Sequence, residues 1–262
     1  MTIPQLKLQK YASEFDLSVP AIRHKYEHSL RVEDLCGKIA ESIDLPERDI
    51  YLARVMGLMH DIGRFYQWHT FGTYSDRKSI CHAQFGADLI RTTGLFDGFG
   101  FELNPDEKTL ILTTIEHHSD RILPDTLVGS PLLFSFILRD ADKLDIVATA
   151  ARKMEEPEMF SYCMGATKDE MEHSSFSKNL VLVIDGEEVL DSRLVSTAAD
   201  DILLYFSFAY QLRFAYTKVC MLEGHYLDKM HDSFRFRDRD AQDDFDHVCE
   251  VSTNTLMRYV NG

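Results

Sequence analysis

The sequence predicts an all-α protein, a helical bundle carrying one small β-hairpin in its C-terminal part. Apolar residues recur at helical spacing through most of the first 155 positions, and one alternating, β-branched stretch breaks that pattern later in the chain. Size agrees: 262 residues, 45% of them hydrophobic, suffice for one large domain with a buried core and no covalent staple.

From about Pro20 to Ile43 the stripe Val32, Leu35 and Ile39 marks a helix, and His28 lies on it. Pro46 opens the next helix, Glu47 to Met59, where Leu52, Met56 and His60 align at i, i+4 and i+8, so that His60 points where the apolar face points. The polar, aromatic-bearing stretch Tyr66 to Ser79, hinged at Gly72, reads as a loop, and a helix follows from about Cys81 to Thr93. After the turn-rich connector GLFDGFGFELNPDEK, helices run from Pro105 to His118 and from Pro131 to about Met154. In the latter, Asp142 sits four residues after Leu138 and four before Ile146, a costly place for a carboxylate unless something pairs with it.

Beyond Glu155, LVLVIDGEEVLD reads as two short β-type runs about an Asp185-Gly186 turn. Ser196 to Glu223 reads as one long helix stopped by Gly224, with the YFSFAYQLRFAY segment assigned to core rather than to a ligand box. RFRDRDAQDDFD reads as a solvated connector, and a final helix puts Phe245, Val248, Ser252, Leu256 and Tyr259 on one face. No repeat or linker divides the chain, so residues 1–262 are read as one domain, with a helical core over about 20–155 and an elaboration over about 156–262.

Lys and Arg number 28 against 43 Asp and Glu, a net charge of −15 that disfavours any sequence-independent grip on a nucleic acid polymer. A small anionic substrate remains compatible if metal ions make its site locally positive. The cysteines, Cys36, Cys81, Cys163, Cys220 and Cys249, are scattered and read as reduced thiols. The N-terminus lacks an apolar signal core, and no run approaches the ~20 residues that cross a bilayer, so the expectation is a soluble cytoplasmic protein without a membrane partner. A homo-oligomer is left open.

Six residues of metal-ligand type lie on or beside apolar helical faces: His28, His60, Asp61, His82, His117 and Asp142. Taken singly, a histidine on such a face is more often a hydrogen-bonded core residue than a ligand. Burying this many imidazoles and carboxylates from five segments is hard to explain unless a cation repays their desolvation.

The order His28, then His60-Asp61, then Asp142 is similar to the H…HD…D signature of the HD-domain phosphohydrolases, and HSLRV, LMHDIGR and ILRDADKLDIVA resemble that family's surroundings. The resemblance covers about residues 20–155 and implies an HD-domain helical bundle with metal-dependent hydrolysis of a phosphomonoester or phosphodiester on a small metabolite, nucleotides foremost. It also implies one or two ions: His28, His60, Asp61 and Asp142 hold the first, and where a second is bound Asp61 bridges to it with His82 and His117 or His118. A mixed His/Asp set suits Mn²⁺, Fe²⁺, Co²⁺, Ni²⁺ or Zn²⁺, with Mg²⁺ admitted, and a bridging carboxylate can hold two ions roughly 3.5–4 Å apart, where water is activated for attack on phosphorus.

Arg64, one turn after His60, can face the same cavity and clamp a phosphate, or form a surface ion pair. Lys143, beside Asp142, can assist the leaving oxygen or neutralise the carboxylate. The stretch FYQWHTFGTYSDRKS is placed to cover the site, with Gln67, Trp68, Arg77 and Lys78 as specificity candidates. Two other functions stay open: a diiron oxygenase using the same ligands, and a nucleotide-binding regulatory module. SDRILP after the histidine pair, where the branch of the family that degrades cyclic dinucleotides has a Gly-Tyr-Pro run, and Arg64, where that branch has lysine, argue against cyclic-di-GMP as substrate.

Overall fold

The computed structural model describes residues 1–154 and 166–261, the last three of these by backbone alone. The described chain is helical throughout, with no strand, and divides into two compact units, Met1–Asp142 and Lys143–Gly262. No helix among the described residues is long and apolar enough to cross a membrane.

In the first unit α1 (Ile3–Ser13) opens on a capping box between Thr2 and Gln5, which satisfies two backbone donors a helix start leaves orphaned. Next come α2 (Pro20–Ser42), α3 (Glu47–Met59), α4 (Ile62–Phe71), α5 (His82–Thr93), the short α6 (Leu95–Phe99) and α7 (Pro105–His117). α8 (Ser130–Lys153) gives its first half to this unit. The helix starts at Pro20 and Glu47 and the ends at Met59 and Thr93 agree with the apolar period.

The close pairs are α2 with α3, α4 with α5, and α5 with α7. Gly57 makes the first possible: a Cβ there would lie 2.7 Å from the Val32 carbonyl oxygen. Gly63 does the same for α4 and α5, where a Cβ would lie 2.6 Å from the His82 carbonyl oxygen. Both approaches bring a histidine-bearing segment against a neighbour.

Two expectations fail here. The stretch after Tyr66 is not all loop, because α4 continues to Phe71 and closes on Gly72 in a left-handed conformation. Phe65 and Gln67 are buried on α4, so the inward-facing period persists through residues whose polarity had masked it. The connector after Gly94 also contains one helical segment, α6, which buries Phe96 and Phe99.

The second unit comprises the rest of α8, then α9 (Lys168–Glu172), α10 (Lys178–Asp185), α11 (Ala198–Ser207), α12 (Ala215–Glu223), α13 (Tyr226–Asp232) and α14 (Arg239–Asn261). α14 packs against α10, α11, α12 and α13. Its Phe245 is fully buried among Phe176, Phe206, Phe234 and Phe236, with ring centroids 5.2–6.1 Å away, near the range aromatic pairs prefer.

The expected β-hairpin is absent. LVLVID is helix α10, because Leu180, Val181 and Ile184 share one buried face at helical spacing while Leu182 turns outward. Ser177, just ahead of α10, bonds Asp200 through both its backbone N–H and its hydroxyl, and Gly186 ends the helix instead of forming a hairpin turn. β-branched composition lost here to packing periodicity.

The single helix expected over Ser196–Glu223 is two, separated by a 3₁₀ turn at Phe208–Tyr210 and a non-helical stretch before Ala215. Of its aromatic segment Phe206 is fully buried and the other rings are only partly covered. The charged run after Phe234 is not only a connector, since α14 begins inside it at Arg239. Phe245, Val248, Ser252 and Leu256 do share the buried face of α14, and the Tyr259 side chain lies outside the described residues.

Candidate metal centre

His28 projects from the buried stripe of α2 and His60 follows the last residue of α3. The His60 Nδ1–H donates to the Gly57 carbonyl oxygen at 2.8 Å, one turn back, which leaves an unprotonated Nε2 facing inward. That Nε2 lies 3.2 Å from His28 Nε2 and 3.7 Å from Asp142 Oδ1, and His28 Nε2 lies 3.2 Å from the same Asp142 oxygen. Three chain segments thus bring two imidazoles and one carboxylate to a point, in a group able to hold a metal ion.

Asp61 stands between this group and a second. Its Oδ2 is 3.5 Å from both His28 Nε2 and His60 Nε2, and its Oδ1 is 3.5 Å from His82 Nε2 and 3.8 Å from His118 Nε2. One carboxylate thereby faces four imidazoles, two per oxygen.

His82 begins α5 and its Nδ1 contacts Asp76 Oδ2 at 2.7 Å; His118 follows α7 and its Nδ1 contacts the Ile115 carbonyl oxygen at 2.7 Å. Arg139 on α8 fixes the end of α7 by donating to the carbonyl oxygens of His118, Asp120 and Arg121. Both acceptors at the Nδ1 atoms are oxygens without a proton, so His82 and His118 are protonated on Nδ1 and turn bare Nε2 atoms toward each other at 3.1 Å. Two lone pairs at that distance repel unless a proton or a metal cation lies between them.

A proton is disfavoured. Burial, joined by the Arg64 charge, pushes His82 down to about 4, and burial with the neighbouring His82 and His60 pushes His118 well below the ordinary histidine value. Burial likewise lowers His60. The donor chemistry fits a divalent cation: neutral imidazole nitrogens and carboxylate oxygens, with no thiolate among them.

Burial works to raise Asp61, yet the surrounding charges hold it well below the carboxylate range. With His60 and His82 neutral near pH 7, Lys25 and Arg64 supply that field. Lys25 Nζ is 2.8 Å from Asp61 Oδ2, and Arg64 Nε is 3.5 Å from Asp61 Oδ1. Asp76 is held at about 2, burial being outweighed by its hydrogen bond to His82 and by the Arg64 charge.

The structure brings together His28, His60, Asp61, His82, His118 and Asp142, but not His117. His117 is part-exposed, and its Nδ1 pairs with Asp120 at 2.7 Å outside the cluster. Arg64 is partly committed to α4 and the segment that follows it: its Nη1 donates to Gln67 Oε1, the Tyr74 carbonyl oxygen and Asp76 Oδ1. Gln67, read as a specificity residue, is buried and tied to Asp76, Ser79 and the Ile80 carbonyl, so it braces that segment. Trp68 leans on Tyr74, while Arg77 and Lys78 are exposed. Lys143 belongs to the second unit, where its Nζ lies 5.0 Å from the ring centroid of Phe208.

Lys25, Asp76 and Arg139 escaped the sequence reading. For Lys25 a signal existed, since it precedes His28 by three residues and so shares its helical face. Asp76 and Arg139 act through loop and carbonyl geometry that spacing does not encode.

A helical bundle that converges buried His and Asp side chains in this way defines a metal-centre protein. A family model described as HD domain matches residues 26–160, more than half of the chain, and the chain belongs to that family. HD domains bind divalent metals, and metal-dependent phosphohydrolysis is the family's general function. No curated protein and no solved structure matches the chain significantly.

Proposed function

We propose that this chain hydrolyses a phosphomonoester or phosphodiester of a small metabolite, a nucleotide foremost, with two divalent ions. His28, His60, Asp61 and Asp142 would hold one ion, and Asp61, His82 and His118 the other. The observation that carries the reading is the 3.1 Å approach of the unprotonated His82 and His118 nitrogens beside a carboxylate that also faces His28 and His60. Bound ions would supply Lewis acidity, activating water and neutralising charge on the phosphoryl oxygens.

The chain's own groups do the remainder. Asp61 orients both halves of the donor set. Asp76 fixes the His82 tautomer and, through Arg64 and Gln67, anchors the segment that covers the site. Trp68 and Tyr74, tilted at 43° with ring centroids 4.9 Å apart, offer an aromatic surface suited to a nucleobase. The test is elemental analysis of the purified protein, paired with a screen of phosphomonoesters, phosphodiesters and nucleotides with added Mn²⁺, Mg²⁺, Co²⁺ or Ni²⁺. Metal-dependent phosphate release is expected; two irons with oxygen consumption and no phosphate release would replace the reading with an oxygenase.

A further inference from the structure

Lys25 and Arg64 flank Asp61 from its two oxygens, and both also lie near the ring of Tyr74, at 5.5 and 5.7 Å from its centroid. They are not equivalent. Arg64 Nη1 already serves three acceptors, Gln67 Oε1 on α4 and the Tyr74 carbonyl oxygen and Asp76 Oδ1 beyond it, which holds that guanidinium in place. Lys25 ends in a compact ammonium with three rotatable donors on a flexible stem, and its side chain remains 12% exposed whereas Asp61 is 2% exposed. Tyr74 is anchored to α2 by its hydroxyl, which donates to the Ala21 carbonyl oxygen at 3.0 Å, so an aromatic face is held beside Lys25 as a second seat for the ammonium.

Asp61 Oδ2 is the oxygen that also faces His28 and His60. A divalent ion held there and the Lys25 ammonium would compete for one carboxylate oxygen, and each would repel the other. The anion that enters a phosphohydrolase site offers the displaced ammonium a new partner.

We propose that Lys25 is an exchangeable counter-ion. It neutralises Asp61 while the ion site is empty, leaves the carboxylate when a metal ion binds, and then takes a phosphoryl oxygen of the substrate. The inference rests on the metal-dependent phosphohydrolase reading and makes Lys25 a direct phosphate contact. It also gives the site a coupling, since phosphate binding holds Lys25 away from Asp61 and thereby favours metal retention.

Removing Lys25 is expected to move two equilibria in opposite directions, which loss of a purely structural ion pair would not do. Metal-stripped wild type, Lys25→Met and Lys25→Arg are titrated with Mn²⁺ alone, and the Mn²⁺-loaded proteins are then titrated with inorganic phosphate, after circular dichroism has verified the helical content. The expectation for Lys25→Met is severalfold tighter Mn²⁺ binding together with phosphate binding weakened about tenfold, within the usual range of coupling between sites. Lys25→Arg, which keeps the charge, should retain most of the phosphate affinity. Parallel weakening of both ligands in Lys25→Met, or no change in either, would overturn the inference and leave the hydrolase reading standing. Failure of the wild type to bind Mn²⁺ or any other divalent ion would instead overturn that reading and the inference with it.

Discussion

In the first unit His60, Asp61 and Asp142 meet at 0%, 2% and 5% exposure; in the second, His231 meets Asp246 and His247 meets Asp185, each at 2.7 Å, at the surface. The same residue types give opposite chemistry. The surface pairs are solvated and screened, and such pairs contribute little. Around Asp61 four buried imidazoles converge, so each would have to pay for burial alone unless a shared cation lowers the cost. Convergence and desolvation, rather than the presence of His beside Asp, mark the functional site.

The largest expected effect breaks the comparison at its centre. Asp61→Ala should abolish metal retention and phosphate release while leaving the far-ultraviolet spectrum helical, because it removes the group shared by both halves of the donor set. Metal content equal to wild type would show that the cluster is not the ion site.

Next in size is the contrast within the histidine doublet. His118→Ala should lose metal and activity, whereas His117→Ala, which breaks only the contact with Asp120, should leave both unchanged. A reversed pattern would redraw the second half of the site.

A smaller effect tests orientation alone. Asp76→Asn weakens the acceptor that fixes His82, and should lower metal affinity or activity about 10–100-fold, the usual cost of losing a partner behind a ligand. Isothermal titration with Mn²⁺ reads it.

Acid sensitivity of the metal-free protein comes next. His82 sits at about 4 when folded and near the ordinary histidine value when unfolded, so between these the unfolded chain binds more protons. The neutral-ring contribution is therefore full above about pH 6.5 and is lost as pH falls toward 4, costing up to about 2 kcal/mol between pH 7 and 5 from His82 alone. Urea titrations of metal-stripped protein across that range should show the loss, and His82→Gln should flatten it.

The smallest effect is predicted for the surface pairs. His247→Ala should change stability by no more than about 0.5 kcal/mol and leave metal content untouched.

Much of the first unit was legible in sequence because period and chemistry pointed the same way: His28 lay on the α2 stripe and His60 in register with Leu52 and Met56. The choice between His117 and His118 was not, since consecutive residues at a helix end diverge by about 100° and the outcome depends on where the helix stops. The second unit was read less well. In α10 strand-like composition and helical burial period disagreed, and only the buried face of Leu180, Val181 and Ile184 decides between them. The break at Phe208–Tyr210 carries no proline or glycine to announce it.

The central claim is tested most directly by counting the Mn²⁺ equivalents that metal-stripped protein binds, wild type against Asp61→Ala. The account predicts tight binding of two ions by the wild type and none by the variant; no binding by the wild type, or equal binding by both, would contradict it.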